Sequence, residues 1–204
     1  MTFGQRFARL VTDLTVRWPR LWPLFKPLMR LQFDRAAPSW DERRSGDAFA
    51  ALEQTLTALP SPPRRVLDLG TGTGKAAFLI AERFPEAEVV GVDIAEEMLA
   101  DARSRTPPGL SGRVTFEAAD GARLPYNDGA FDLVSLANMI PFFDELERVT
   151  APGGAVVVGF SAGPETPIYV NTGRLRDALG ARGFAEFAEF SGGRGTALLA
   201  RKRA

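Results

Sequence analysis

The 204-residue sequence contains neither cysteine nor histidine. Their absence removes disulfides, thiolate nucleophiles, imidazole bases and the usual ligands of zinc. We therefore expect no bound metal. Any proton transfer must use a carboxylate, a tyrosine, a lysine, water or the substrate itself.

Net charge and long apolar runs are missing as well. The 25 acidic residues balance the 25 basic ones, so the chain as a whole has no attraction for nucleic acid. No run of about 18 apolar residues is present, and the amino terminus lacks the apolar region and cleavage site of a signal peptide. We expect a cytoplasmic protein with no nucleic-acid partner.

The most informative stretch is an apolar strand that ends in glycines. Residues 65–75 read RVLDLGTGTGK, so Asp68 is followed by glycines at positions 70, 72 and 74. Glycine accepts unusual φ angles and lets a ligand lie against bare backbone. The stretch therefore predicts a ligand-binding loop.

Spacing separates three interpretations of this loop. The P-loop pattern G-x-x-x-x-G-K-[ST] fails, because Leu69 stands at its first glycine and Ala76 at its hydroxyl. The dinucleotide pattern G-x-G-x-x-G stays open but is weakened by Lys75, which replaces the third glycine. The pattern present, D-L-G-x-G-x-G, suits a ligand that has an amino group and no pyrophosphate, such as S-adenosylmethionine (SAM).

From residue 64 onward, strand-like and helix-like segments alternate. The predicted strands are 66–69, 88–92, 114–118, 131–136, 155–160, 184–190 and 196–202, and the predicted helices between them are 75–84, 95–105, 143–149 and 172–182. This alternation predicts an α/β, Rossmann-like, doubly wound sheet that is mostly parallel. The short glycine-rich link 191–195 predicts that the last two strands form an antiparallel hairpin.

An N-terminal segment, residues 1–45, precedes the predicted domain of residues 46–204. Apolar residues at positions 3, 7, 10, 11, 14 and 18 predict an amphipathic helix over residues 3–18, which prolines 19, 23 and 27 then break. The segment could touch a membrane surface through residues 1–30, cover an apolar acceptor, or pack on the domain or on a second subunit in a homodimer.

Polar residues end four successive strands: Asp68, Asp93, Asp120 and Asn138. Ligands of open parallel sheets bind at these strand ends. Asp93 is placed to accept both O–H groups of a ribose, and Asp120 to accept the exocyclic amine of adenine. Ile94 and Met98 could flank the adenine ring. Each carboxylate could instead cap the N-terminus of a helix.

Residues 66–74 with 89–93, the run 118–134 and residues 146–154 resemble the consecutive motifs of class I SAM-dependent methyltransferases, in the variety that contains small-molecule and quinone-biosynthesis enzymes. The resemblance implies a seven-stranded sheet with an antiparallel last strand. It also implies SAM as cofactor and S-adenosylhomocysteine as product. The predicted cofactor-binding residues are Asp68, Gly70, Thr71, Gly72, Gly74, Asp93, Ile94, Met98, Asp120, Gly121, Ala137 and Asn138.

The chain departs from that family in its acceptor region. Phe142 follows Pro141 where many members have a histidine pair, and the lid entry has Trp40 where tyrosine is common. We take Trp40 and Phe142 as substrate or lid residues. Asp144 and Tyr126 are the candidates for a general base, because the loops after strands three and four are expected to face the pocket.

The predicted function is transfer of a methyl group to an O, N or C nucleophile of a small, apolar acceptor. The alternative is a non-catalytic SAM- or nucleoside-binding protein that acts through its N-terminal segment at a membrane surface or subunit interface. A nicotinamide-dependent dehydrogenase is disfavoured by Lys75. Residues 138–142 are similar to the Asn-Pro-Pro-Tyr motif of nucleic-acid amino methyltransferases, but the spacing is off by one and the first proline is missing.

Overall fold

A computed structural model describes residues 3–40 and 47–204. The predicted boundary between residues 45 and 46 lies outside the described residues, and it stays a prediction. Within the described ranges, no helix is long and apolar enough to cross a membrane.

Seven strands form one sheet in the order β3-β2-β1-β4-β5-β7-β6. The strands are β1 (Arg65–Leu69), β2 (Glu88–Asp93), β3 (Val114–Ala118), β4 (Phe131–Ala137), β5 (Thr150–Phe160), β6 (Phe184–Gly192) and β7 (Gly195–Lys202). Only β7 runs antiparallel to its two neighbours, β5 and β6. The predicted fold class is therefore confirmed, including the hairpin between the last two strands.

Helices cover both faces of the sheet. They are α1 (Phe3–Arg17), α2 (Trp22–Ala36), α3 (Ala50–Thr57), α4 (Lys75–Arg83), α5 (Glu96–Ser104), α6 (Phe143–Val149) and α7 (Thr172–Gly180). Successive strand residues point to opposite faces, so Val66 packs with α3, α4 and α5 while Leu67 packs with α6 and α7. This double burial is why the strands read as continuous apolar runs.

The strand order reverses between the parallel neighbours β1 and β4, because β2 and β3 lie on one side of β1, and β4 and β5 lie on the other. The ends of the central strands are in register. Leu69 lies beside both Val92 and Leu136, and Asp93 lies beside Ala118. The segments after these strands therefore meet at one edge of the sheet, at the crevice where such folds bind ligands.

The N-terminal helix prediction is confirmed for residues 3–17, but the predicted effect of the prolines is correct only for Pro19. A second helix, α2, begins at Trp22 and contains the other two prolines. Pro23 lies in the first turn, where a backbone N–H has no helical partner anyway. Pro27 removes one hydrogen bond from the helix interior. Burial of Trp22 and Met29 against the domain offsets that loss.

Candidate functional site

A cavity lies at the carboxyl ends of β1, β2 and β4, beneath α2. It is lined by Trp22, Met29, Phe33, Trp40, Leu69, Gly70, Gly72, Val92, Asp93, Ile94, Met98, Ala119, Gly121, Ala137, Asn138, Met139, Ile140 and Ile168. The structure thus brings together many of the residues that the sequence analysis predicted to bind the cofactor. Asp68, Thr71, Gly74 and Asp120 of that set are not in the lining.

The three glycines of the loop after β1 all have positive φ, and they differ in what surrounds them. A Cβ on Gly72 would meet only Trp40 Nε1, at 3.5 Å, so this backbone faces open space in the cavity. A Cβ on Gly74 would come within 2.7 Å of the Phe116 ring. Gly72 therefore serves the cavity, whereas Gly74 allows α4 to pack against the sheet.

The loop is held to β2 by backbone and side-chain hydrogen bonds. The N–H groups of Gly70 and Thr71 donate to Val92 O at 2.8 and 3.0 Å. Thr71 Oγ1 donates to Asp68 Oδ2 at 2.7 Å, and both side chains are buried. Asp68 and Thr71 thus shape the loop from beneath the cavity.

Asp93 ends β2 and lines the cavity. Its Oδ2 accepts from Gly72 N at 2.9 Å, and its Oδ1 accepts from Ala95 N at 3.0 Å. Burial raises the pKa of Asp93 above its ordinary value, although backbone donors from Ala95, Gly72 and Ile94 oppose the shift. The carboxylate therefore joins the glycine loop to the start of α5 within the predicted ribose site.

Asp120, the predicted partner of adenine, is bonded to the N-terminal segment. Trp22 Nε1 donates to its Oδ1 and Lys26 Nζ to its Oδ2, both at 2.8 Å. Burial alone would raise the pKa of Asp120, but the hydrogen bonds from Lys26, Ala122 N and Trp22 lower it overall. An adenine amine would have to share or displace these donors.

The end of β4 is fixed to the end of β5 through Asn138. Asn138 has a φ of 58°, which is uncommon for a residue other than glycine. Its Oδ1 accepts from Ser161 N at 2.8 Å, and its Nδ2 donates to Ser161 Oγ at 3.0 Å. The Asn138 side chain thus holds the strand ends together. The next side chain, Met139, packs on Gly70, where a Cβ would come within 2.8 Å of Met139 Sδ.

Helix α2 forms the apolar roof, which agrees with the expectation that the N-terminal segment could cover an apolar acceptor, but the sequence interpretation missed the helix itself. Trp22, Met29 and Phe33 line the cavity from above, with Ile140 and Ile168 from the domain. The apolar residues at positions 22, 25, 29 and 33 recur at i, i+3, i+7 and i+11, which was a detectable signal. The prolines between them masked it.

The two candidate bases are not at the cavity. Asp144 is exposed and accepts from Arg182 Nε at 2.8 Å. Tyr126 packs edge-on against Phe131 and donates to Glu117 Oε2 at 2.9 Å. Burial, followed by the bond to Glu117, raises the pKa of Tyr126, which keeps the phenol protonated.

The two predicted lid residues have different positions. Trp40 lines the cavity and packs edge-on against Phe33 at 5.7 Å between ring centroids. Phe142 is buried behind the lining and packs against Trp22 at 5.2 Å. Phe142 therefore supports the roof rather than forming its inner surface.

The residues present fit a SAM-type cofactor. An open backbone at Gly72, a carboxylate at Asp93 and apolar side chains at Ile94 and Met98 line one cavity. The open backbone would let the ligand approach closely, the carboxylate would accept hydrogen bonds from ribose hydroxyls, and the apolar side chains would flank a purine ring. In the described part of the chain, no cluster of three His, Cys, Asp or Glu residues is placed to hold a metal ion.

Comparisons with known proteins agree with this fit. Residues 66–154 match the family model described as a methyltransferase domain. The chain is 49% identical over 109 residues to the demethylmenaquinone methyltransferase of Thermus thermophilus. This alignment covers 50% of this chain and 49% of that protein. It is 40% identical over 147 residues to the malonyl-[acyl-carrier protein] O-methyltransferase of Halorhodospira halophila, covering 68% of this chain and 49% of that protein.

The chain spans about half the length of these two relatives. Among solved structures, the S-adenosylmethionine-dependent methyltransferase of Mesorhizobium loti aligns with a TM-score of 0.60 at 20% identity, covering 77% of this chain and 99% of that one. That similarity concerns the fold alone. Together, the matched domain, the sequence relatives and the strand order identify residues 66–154 as a methyltransferase domain and support a class I SAM-dependent methyltransferase.

Proposed function

We propose that this protein transfers the methyl group of SAM to an O, N or C nucleophile of a small, apolar acceptor. The observation that carries the proposal is the composition of the cavity. Its floor presents the Gly72 backbone and the Asp93 carboxylate, and its roof presents Trp22, Met29 and Phe33. In this proposal a polar cofactor site and an apolar acceptor site are parts of the same cavity.

The charge of the lining separates the acceptor classes suggested by the relatives. A malonyl acceptor carries a carboxylate, which calls for an arginine or lysine partner. Among the described residues that line the cavity there is neither, and Lys26 on the roof helix is ion-paired with Asp120. This favours a neutral, apolar acceptor, and a demethylmenaquinone-type quinol is the first compound to test.

The protein's own residues would act by binding and alignment. When bound, SAM supplies an electrophilic methyl group on a sulfonium that becomes neutral on transfer. Asp93 would hold the cofactor's ribose, while the roof residues orient the acceptor and exclude water. Alignment and desolvation can supply a large part of the rate of such a displacement.

The cavity also bears on proton transfer. Asp93 is the only titratable side chain among the described lining residues. A neutral quinol or phenol would therefore lose its proton to water, and an amine would need no protein base. The comparisons give no support to the alternative of a non-catalytic binding protein.

The test of cofactor binding uses two aspartates that each accept two backbone hydrogen bonds. Asp93→Ala should weaken SAM binding by about 1.5–3 kcal/mol, the value of charge-assisted hydrogen bonds. Asp132 is the matched control, because its Oδ2 accepts from Arg64 N and Arg65 N at 2.9 Å, away from the cavity. Asp132→Ala should lose stability and keep its SAM affinity in calorimetry. Equal SAM affinity in the two variants would refute the site assignment.

The test of turnover measures release of S-adenosylhomocysteine by the wild-type chain. Quinol, phenol, amine and carboxylate acceptors are compared at equal concentration. We expect release with the apolar quinol or phenol and little with the carboxylate. SAM binding without release for any acceptor class would leave the cofactor site intact and refute the proposed transfer.

A further inference from the structure

The two N-terminal helices carry an exposed apolar surface that the cavity does not use. In the described part of the chain, the exposed large hydrophobic residues are Leu10, Trp18, Leu24, Leu28 and Leu31, all within α1, α2 and the turn that joins them. Their exposed fractions run from 45% to 70%. Large apolar side chains exposed together on one segment of the chain mark an interaction surface.

Helix α2 has two apolar faces on opposite sides. Leu24, Leu28 and Leu31 recur at i, i+4 and i+7 and form one exposed stripe. Trp22, Met29 and Phe33 lie about half a turn away and line the cavity. Whatever covers the leucine stripe therefore lies directly outside the roof of the cavity.

The segment that carries this stripe also exposes basic side chains. Arg6, Arg17, Arg20, Arg30 and Arg35 are exposed on the same two helices and their connecting turn, and Arg17 lies over the Trp18 ring at 4.6 Å. Residues 3–36 contain seven Arg or Lys against Asp13 and Asp34, although the whole chain has no net charge. Lys26 is paired with Asp120 and Arg30 with Asp34, so the excess positive charge of this segment comes from its other arginines.

Charge decides which partner this surface fits. A symmetric contact between two copies would bring the same arginines together, and like charges at such an interface repel. An anionic lipid bilayer offers both an apolar layer for the leucines and negative headgroups for the arginines.

We propose that α1 and α2 dock this protein on an anionic membrane surface, with Leu24, Leu28, Leu31 and Trp18 in the interfacial layer and the flanking arginines at the headgroups. Docking here places α2, and the cavity beneath it, at the bilayer. This inference does not depend on methyl transfer, because it concerns a surface outside the cavity.

The experiment measures co-sedimentation of the full chain with vesicles. Binding to phosphatidylcholine vesicles that contain phosphatidylglycerol should exceed binding to pure phosphatidylcholine by about tenfold or more, since each basic residue near an anionic surface contributes about 1 kcal/mol. High salt should weaken it. No preference for the anionic vesicles would overturn the proposal.

Two sets of variants separate the apolar and the electrostatic contributions. Leu24→Ser/Leu28→Ser/Leu31→Ser should lower vesicle binding by about tenfold or more, since each buried leucine contributes about 1.5 kcal/mol or more. Arg17→Glu/Arg20→Glu should also lose binding. The charge-matched control is Arg64→Glu/Arg203→Glu, whose exposed side chains lie at the amino end of the parallel strands. Equal losses in the two charge variants would overturn the proposal.

Thermal unfolding and SAM affinity of each variant serve as folding controls. Both should stay unchanged, because these side chains are exposed and lie outside the cavity. Light scattering tests the competing occupant. A dimer of twice the 22.1 kDa chain that the triple serine variant converts to a monomer would assign the leucine stripe to a second copy, and would overturn membrane docking.

Discussion

Replacing Gly72 with alanine gives a direct test of the glycine loop as a cofactor cradle. Gly72 has a φ of 55°, and an added Cβ would project into the cavity, with Trp40 Nε1 at 3.5 Å as its nearest neighbour. The methyl group should therefore fit in the protein alone. It should collide with a ligand that lies on this backbone.

Gly153 is the matched control. It has a φ of 75°, is exposed near the start of β5, and an added Cβ would meet nothing within 4 Å. Alanine in the left-handed region costs about 1–2 kcal/mol at either position. Both variants should therefore lose similar stability, seen as a fall in melting temperature of about 2–4 °C for each kcal/mol in a chain of this size.

Only Gly72→Ala should lose cofactor affinity. Overpacking a well-fitted site by one methyl group costs about 1–3 kcal/mol, which corresponds to about 5- to 150-fold in affinity. Calorimetric titration with SAM and with S-adenosylhomocysteine measures this difference. Unchanged affinity in Gly72→Ala, or equal losses in both variants, would refute the cradle.

A third variant separates packing from binding within the same loop. Gly74→Ala would place its Cβ 2.7 Å from the Phe116 ring and 3.0 Å from the Phe78 ring. We expect it to be less stable than Gly72→Ala by about 1–3 kcal/mol, because aromatic rings at this junction cannot yield easily. Equal melting temperatures for the two would contradict this division of roles.

Three further predictions concern ionisable groups. The pKa of Asp120 is lowered in the folded protein, so its ionised carboxylate stabilises the fold above the ordinary aspartate pKa of about 3.9, and this stability is lost as the pH falls further. Asp120→Asn should therefore cost about 1–2 kcal/mol of unfolding free energy at neutral pH. The difference from the wild type, measured by urea unfolding, should vanish in acid. Since burial raises the pKa of Asp93, SAM affinity should weaken on acidification while ordinary aspartates are still charged, and Asp93→Asn should remove this dependence. Arg148→Met should cost about 2–3 kcal/mol in urea unfolding, because Arg148 donates to Glu145 and to the carbonyl groups of Leu124 and Tyr126.

Each of these predictions has an outcome that contradicts it. A stability difference at Asp120 that persists in acid would mean that the lost bonds are not those of the carboxylate. SAM affinity that stays flat through mild acid would remove Asp93 from ribose binding. For Arg148, the control is Arg176→Met, which breaks an exposed pair with Glu189 and should cost under about 1 kcal/mol. Equal costs would contradict the role of Arg148 as the anchor of the loop after β3.

Much of the domain could be predicted because its signals are local. Strands buried on both faces read as apolar runs, prolines and glycines mark the turns, and the glycines after Leu69 give the loop its conformation. The place of Asp93 at the end of β2 follows from the same pattern, since parallel strands bring their carboxyl ends to one edge.

The roles of individual residues depended on neighbours that lie far away in the sequence. Gly72 and Gly74 belong to the same alternating glycine pattern, and both have positive φ. Gly72 nevertheless faces the cavity, whereas Gly74 packs against the Phe116 ring. Asp144 and Tyr126 follow strands that lead to the cavity, but their side chains bond to Arg182 and Glu117 instead. Sequence spacing could not reveal these contacts.

The sequence by itself determined the succession of strands and helices along the chain, the glycine loop and the acidic strand ends. Each of these depends on residues within a few positions of one another. Only the tertiary structure decided that α2 continues through Pro27, roofs the cavity and bonds Trp22 and Lys26 to Asp120. Those contacts join residues more than 90 positions apart. Their energy comes from burial and charge pairing that exist only after the sheet has formed.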